Sequence, residues 1–236
     1  CTYYFVCQAM VSFVLQLGSR SFNKLIEGVD KMLGYYNYTV VLTYMGMLAA
    51  FTGILSACDG NINGAIICLM LAGVCDLFDG PIARTMERET EEKRFGIQID
   101  SLSDLIGFGV LPGVLLYRMS EKSLAGMTVS AVYVLCALIR LAYFNVMEEK
   151  RQDETKEART YYQGLPVTVS AILIPISYYL QNMAGIQSGE GTLITMSIMA
   201  AAFLLPIKVE KPHFLGKIVL SILGVCGLFL LVGGGT

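Results

Sequence analysis

The chain has 236 residues, 55% apolar and 15% charged, with 17 basic and 19 acidic side chains and a net charge of −2. Ordinary soluble domains carry about 45–50% apolar and about 25% charged residues, so the composition argues against a soluble enzyme and for a multi-span helical membrane protein. It also excludes a disordered chain, which is polar or highly charged, and a nucleic-acid binder, which needs a cationic surface.

A bilayer core of about 30 Å needs about 20 mostly apolar residues per helix. Residues 3–17 are apolar but short, and read either as a span or as an interfacial segment. Residues 21–36 set Lys24, Glu27, Asp30 and Lys31 against Phe22, Leu25, Ile26, Val29 and Leu33. That spacing predicts an amphipathic helix lying in the membrane interface. Six apolar runs follow, at about 38–58, 62–84, 97–118, 124–147, 165–183 and 191–207. A further run covers 214–232. The expected organisation is an N-terminal segment over 1–37, a six-helix domain over 38–212, and an extra membrane helix with its tail over 213–236. The polar stretch 148–163 reads as a solvated loop, with gating of a pocket as the other reading.

Fourteen of the 17 basic residues fall before the first of these six runs or after the second, fourth and sixth. The positive-inside rule places those loops in the cytoplasm. The seven Cys are scattered without a CxxC pair, so neither a disulfide framework nor a zinc site is expected. The first residue is Cys1 rather than Met, which is compatible with an earlier start.

The informative residues are carboxylates set in apolar sequence. Asp76 and Asp79 close the second run, and Asp100 and Asp104 open the third. Spacings of i, i+3 and i, i+4 put each pair on one helix face. Gly80, Ala83 and Arg84 continue the first face, and Gly96 precedes the second. The short connection makes the two helices antiparallel neighbours, so the acidic faces converge. At an effective dielectric of about 20, two like charges 4 Å apart repel by about 4 kcal/mol. A divalent cation relieves this, and all-oxygen ligation suits Mg²⁺, Mn²⁺ or Ca²⁺ rather than zinc. Two carboxylate pairs suit two ions about 3.5–4 Å apart, the geometry of phosphoryl chemistry. Arg84 on the same face then suits a substrate phosphate. Ionisable groups inside a membrane are functional candidates by default.

This pattern resembles the signature of the CDP-alcohol phosphotransferase family: two Asp, a Gly, an Ala and an Arg, then a Gly and two more Asp. Asp76, Asp79, Gly80, Ala83, Arg84, Gly96, Asp100 and Asp104 fill it, with an 11-residue gap from Arg84 to Gly96 that is long for the family. The resemblance implies an all-α, polytopic membrane fold with a six-helix core, here with the interfacial N-terminal helix and one or two extra apolar helices. It further implies a homodimer, two divalent ions (Mg²⁺ or Mn²⁺), and a cytidine nucleotide at the cytoplasmic face of the cell membrane. By the same resemblance Asp76, Asp79, Asp100 and Asp104 bind metal, Asp76, Gly80, Ala83 and Arg84 meet the nucleotide, and Asp104 is also the catalytic base.

Three further stretches resemble the serine-using, membrane-embedded branch of that family. They are Ile139–Asn145, Gly164-Leu165-Pro166 and Lys208–Phe214. The implied substrates are CDP-diacylglycerol and L-serine, and the products phosphatidylserine and CMP. Arg140, the one basic residue deep in a run, is the candidate for the serine carboxylate, against a structural pair with an Asp or a lipid phosphate. Asn145 either helps bind serine or caps its helix. Gly80 and Ala83 either admit the cytidine or pack helices closely. Pro81 leaves the Leu77 carbonyl without its usual donor and suits a kink. His213 reads as an interfacial residue. The alternatives are a sister enzyme acting on inositol phosphate or glycerol phosphate, and a divalent-cation transporter. The first expects more than one basic pocket residue, and the second expects acids at the midplane and on both sides.

Overall fold

A computed structural model of the chain describes residues 34–35, 38–83, 89–154, 161–185, 189–206 and 208–210. The expected elements at 3–17 and 214–232, as well as Arg84 and His213, lie outside the described residues, and so does the expected interfacial helix at 21–36 except for Gly34 and Tyr35, which are not helical.

The helices are α1 (Tyr38–Cys58), α2 (Ile62–Ala83), α3 (Thr90–Asp104), α4 (Leu111–Met119), α5 (Leu124–Glu154), α6 (Ser170–Met183) and α7 (Glu190–Leu204). A π-helical turn, Leu105–Val110, joins α3 to α4. Val40–Cys58, Ile62–Gly80, Thr90–Met119 and Leu124–Arg151 are each long and apolar enough to cross a membrane. α6 and α7 are shorter, with 14 and 15 residues. Their limits have local causes. Pro166 and a 3₁₀ turn at Val167–Val169 precede α6. Leu205, ahead of Pro206, is extended at φ −72°, ψ 134°, because the proline ring disfavours helical geometry in the residue before it.

Small polar residues set the other ends. Asn61 precedes α2, and its Oδ1 accepts the Gly64 N–H at 2.8 Å. Ser123 precedes α5, and its Oγ accepts the Gly126 N–H at 3.1 Å. Both are N-caps satisfying an otherwise orphan donor. α3 starts at Thr90, well before the apolar run at 97. The carboxylate of Glu92 accepts the Glu89 N–H at 3.1 Å, and Glu91 and Glu92 sit in the first turn, where negative charge suits the helix dipole.

The expected loop at 148–163 is a correction. α5 runs on to Glu154, and Tyr161–Gln163 is a strand, β1, antiparallel to β2 (Lys208–Glu210) in the register Tyr161↔Glu210. The charged stretch after Met147 is rich in good helix formers, and Glu148 bonds Arg151 one turn on. The ribbon ties the segment before α6 to the segment after α7 and leaves the architecture helical.

The core lies where the π turn and α4 meet α2, α5 and α7. Phe108, Leu111, Leu115, Leu116, Ile66, Leu69, Tyr133, Met196 and Met199 are all buried there. Small residues bring the helices close. A Cβ on Gly53 of α1 would stand 2.8 Å from the Cys68 Cβ of α2, and one on Gly73 of α2 would stand 2.7 Å from the Ala171 Cβ of α6. This is small-residue packing as used between helices in lipid. Large apolar residues point outward instead, such as Leu48, Phe51 and Leu55 on α1, and Ile194 and Ile198 on α7. Such stripes suit a lipid surround rather than water.

The π turn has an identifiable partner. Pro112 has no N–H, so the Phe108 carbonyl four residues earlier loses its α-helical donor. The buried Tyr133 hydroxyl of α5 donates to that carbonyl at 2.9 Å. Tyr133→Phe therefore leaves a buried acceptor unmet, at a cost of about 1–3 kcal/mol. The thermal midpoint in detergent is expected to fall. Pro112→Ala in the same background supplies a donor and is expected to recover part of the loss. An unchanged midpoint in Tyr133→Phe would show that this bond does not support the turn.

Candidate active site

Asp76 and Asp79 stand on the last full turns of α2, and Asp100 and Asp104 on the second half of α3. The structure brings Asp76, Asp79 and Asp100 together, each offering a carboxylate oxygen, with those oxygens all within 4.8 Å of one another. The Asp79 and Asp100 carboxylates face each other across the two helices. All three are half-buried. Asp104 lines the same pocket outside this trio. Its carboxylate lies within electrostatic reach of the trio and of Arg140 on α5.

The pocket is small, about 10 Å³, about the space one water needs. Thr43 and Gly46 of α1, Ala72 and Cys75 of α2, Ser103 of α3, and Gly107 and Phe108 of the π turn complete its walls. Thr43 was not among the sequence candidates. Its hydroxyl donates to Asp79 Oδ2 at 3.5 Å, and its carbonyl accepts from Ser103 Oγ at 3.3 Å. Nothing in the sequence sets it apart from the other hydroxyls of a long apolar run, because its relevance depends on how α1 packs across α2 and α3.

This donor set fits a divalent cation. It offers only hard oxygen atoms, on side chains held close by two helices. Without a cation, three partly buried carboxylates repel one another by several kcal/mol, and a buried charge needs a counter-charge. The space suits ions rather than a nucleotide, so a large ligand must approach from the open side.

Gly80 directly follows Asp79 on α2. It is exposed, and a Cβ placed there meets nothing within 4 Å. Close helix packing at Gly80 is therefore not what the described residues show. Ala83 continues the α2 backbone, which runs on as helix through Pro81. Arg84 lies beyond the described residues.

Arg140 is buried, at 7% exposure. Its guanidinium carbon lies 5.2 Å from the Phe144 ring centroid, a cation–π contact. Asn145 lies between α5 and α3. It accepts from Ser101 Oγ at 2.6 Å and donates to Gln98 Oε1 at 3.2 Å. It does not cap its helix, which continues to Glu154. Near this end of the bundle the Tyr35 hydroxyl donates to Glu91 Oε2 at 3.0 Å. That bond raises the tyrosine above its usual pKa.

The trio makes a direct prediction. Asp79→Asn removes one charge and one ligand while keeping the side-chain shape. Mn²⁺ titration of the purified chain is expected to show a loss of affinity of about tenfold or more, about 1.4 kcal/mol. Unchanged affinity would show that the trio is not a metal site.

Comparison with known proteins bears on the same residues. Over 160 residues the chain is 32% identical to an archaetidylserine synthase of Methanothermobacter thermautotrophicus, covering 67% of this chain and 64% of that protein. A CDP-diacylglycerol--serine O-phosphatidyltransferase of Mycobacterium tuberculosis is 31% identical over 134 residues, 56% of this chain and 45% of that protein. One of the same name from Bacillus subtilis is 24% identical over 176 residues, 74% of this chain and 89% of that protein. The chain thus spans less than two thirds of the first two relatives. The family model for CDP-alcohol phosphatidyltransferases matches residues 36–209, which contain all the helices described above and all four aspartates. The chain belongs to the CDP-alcohol phosphatidyltransferase family.

Proposed function

We propose that the chain transfers the phosphatidyl group of a CDP-diacylglycerol-type lipid to the hydroxyl of L-serine, releasing CMP. The observation that carries this reading is the acidic pocket itself. Three carboxylates converge as a ligand set, and a fourth, Asp104, lines the same small pocket within electrostatic reach of Arg140. The named activities of the relatives support serine as the acceptor.

In this reading Asp76, Asp79 and Asp100 would hold divalent ions, Mg²⁺ or Mn²⁺, and the family resemblance adds Asp104 to that set. When bound, such ions supply positive charge at the pyrophosphate and at the departing CMP. Asp104 accepts the proton of the serine hydroxyl, as a general base within hydrogen-bond reach must. The serine oxygen then bonds to the phosphorus bearing the diacylglycerol. The bond from that phosphorus to the CMP oxygen breaks, and CMP leaves. Arg140 offers its guanidinium to the serine carboxylate, with a fork that matches two oxygens, while Phe144 packs its plane. Gly80, and Ala83 and Arg84 beyond it, line the approach of the nucleotide. The clustering of basic residues in the loops at this end of the bundle supports a cytoplasmic site.

The deciding assay follows CMP release from CDP-diacylglycerol, and from its ether-lipid counterpart, with Mn²⁺ or Mg²⁺ and a panel of acceptors. Serine is expected to drive release. Release only with inositol phosphate or glycerol phosphate would assign the sister activity, and metal uptake without CMP release would assign transport. In the same assay Asp104→Asn is expected to keep nucleotide binding and lose turnover, and near-normal turnover would remove Asp104 from the base role. Arg140→Lys is expected to raise the KM for serine alone, and an equal loss for both substrates would count against its contact with serine.

Gly80 gives a sharper test of the nucleotide path, because its Cβ position is empty. Gly80→Ala is expected to keep its thermal midpoint yet bind CDP-diacylglycerol about tenfold more weakly, about 1.4 kcal/mol. Unchanged affinity would place the nucleotide elsewhere.

A further inference from the structure

α3 carries two polar faces side by side. Asp100 and Asp104 occupy one. Gln98 and Ser101, three residues apart, occupy the next. On α5, Asn145 and Glu149 are four residues apart and meet this second face. The hydrogen bonds form an ordered chain. Ser101 Oγ donates to Asn145 Oδ1 at 2.6 Å, Asn145 Nδ2 donates to Gln98 Oε1 at 3.2 Å, and Gln98 Nε2 donates to Glu149 Oε1 at 3.1 Å. A carboxylate accepts only, so Glu149 fixes the Gln98 amide with its nitrogen outward. The Gln98 oxygen then faces Asn145 and fixes that amide too. Both ends of Asn145 are engaged within the protein.

The position of this chain matters more than its length. Ser101 is buried, at 8% exposure. It directly follows Asp100 and stands one turn before Asp104. Regular α-helical bonding ends at Asp104, where the π turn begins. A helix entering a π turn can shift its phase. A small rotation of α3 about its axis would swing Asp100 away from Asp76 and Asp79 on α2. The bond to Asn145 opposes that rotation.

We infer that Asn145 is a positioning residue: through Ser101 it holds α3 at the rotation that brings Asp100 to the aspartates of α2. The inference rests on the metal reading of those aspartates and assigns to α5 a role in metal affinity. Asn145 then acts without touching serine.

The test uses the full chain in nanodiscs, with Mn²⁺ binding followed by the EPR signal of free Mn²⁺, thermal midpoints, and serine kinetics alongside. Ser101→Ala and Asn145→Ala are each expected to weaken Mn²⁺ binding by about tenfold or more, the usual effect of losing a group that orients metal ligands. The double variant is expected to match the weaker single variant within about twofold, because both remove one interaction. Ser101→Thr keeps the hydroxyl that donates to Asn145 and is expected to retain most of the affinity. The KM for serine is expected to stay at the wild-type value in Ser101→Ala. Wild-type Mn²⁺ affinity in both single variants, with serine KM raised in Asn145→Ala alone, would overturn the inference and make Asn145 a serine contact. Additive losses, or losses that track a falling thermal midpoint, would also overturn it. A wild-type chain that binds no Mn²⁺ would overturn the metal reading itself, a result distinct from any of these.

Discussion

The structure depends on carboxylates held close together in a place where charge is costly. Asp76, Asp79 and Asp100 come within 4.8 Å of one another at the meeting of two helices otherwise built for an apolar surround. Like charges repel by several kcal/mol at that range. The fold tolerates this only because packing elsewhere holds α2 and α3 in place. Three supports are visible. Gly53 and Gly73 let α2 press against α1 and α6. Thr43 and Ser103 join α1 to both acidic faces. Ser101 and Asn145 join α3 to α5.

The π turn links this site to the core. Leu105–Val110 follows Asp104 directly, and its Phe108 is among the most buried side chains. Pro112 frees the Phe108 carbonyl, and Tyr133 takes it up. The same helix thus carries the acids at one end and the centre of the core at the other. A change in its phase would be felt at both. α5 supplies partners at both levels, with Tyr133 for the turn and Asn145 for the acidic end.

Much of this was legible in the chain. Four carboxylates in apolar runs, at i, i+3 and i, i+4 spacing, marked both the helices and the face they share. The six runs from 38 to 207 matched six helical rods, counting α3, the π turn and α4 as one. Where the reading missed, the cause is physical. The early start of α3 depends on Glu92 closing back on Glu89, a local bond within a stretch too polar to look like a span. The extension of α5 to Glu154 has the same origin, since charged helix formers need no apolar stripe. The β1–β2 ribbon joins segments more than forty residues apart, and no local pattern announces such a pairing.

The sequence by itself determined the class of molecule, the run of helices and the identity of the acidic face. These follow from hydrophobicity and from the 3.6-residue period, which act along the chain. Only the tertiary structure brought three of the acids together as a ligand set and put the fourth, Asp104, in the wall of the same pocket. It alone showed that Gly80 faces open space, that Thr43 belongs to the site, and that Asn145 is engaged by α3. Those facts depend on which helix faces which, at what rotation, and that is set by contacts between residues far apart in sequence.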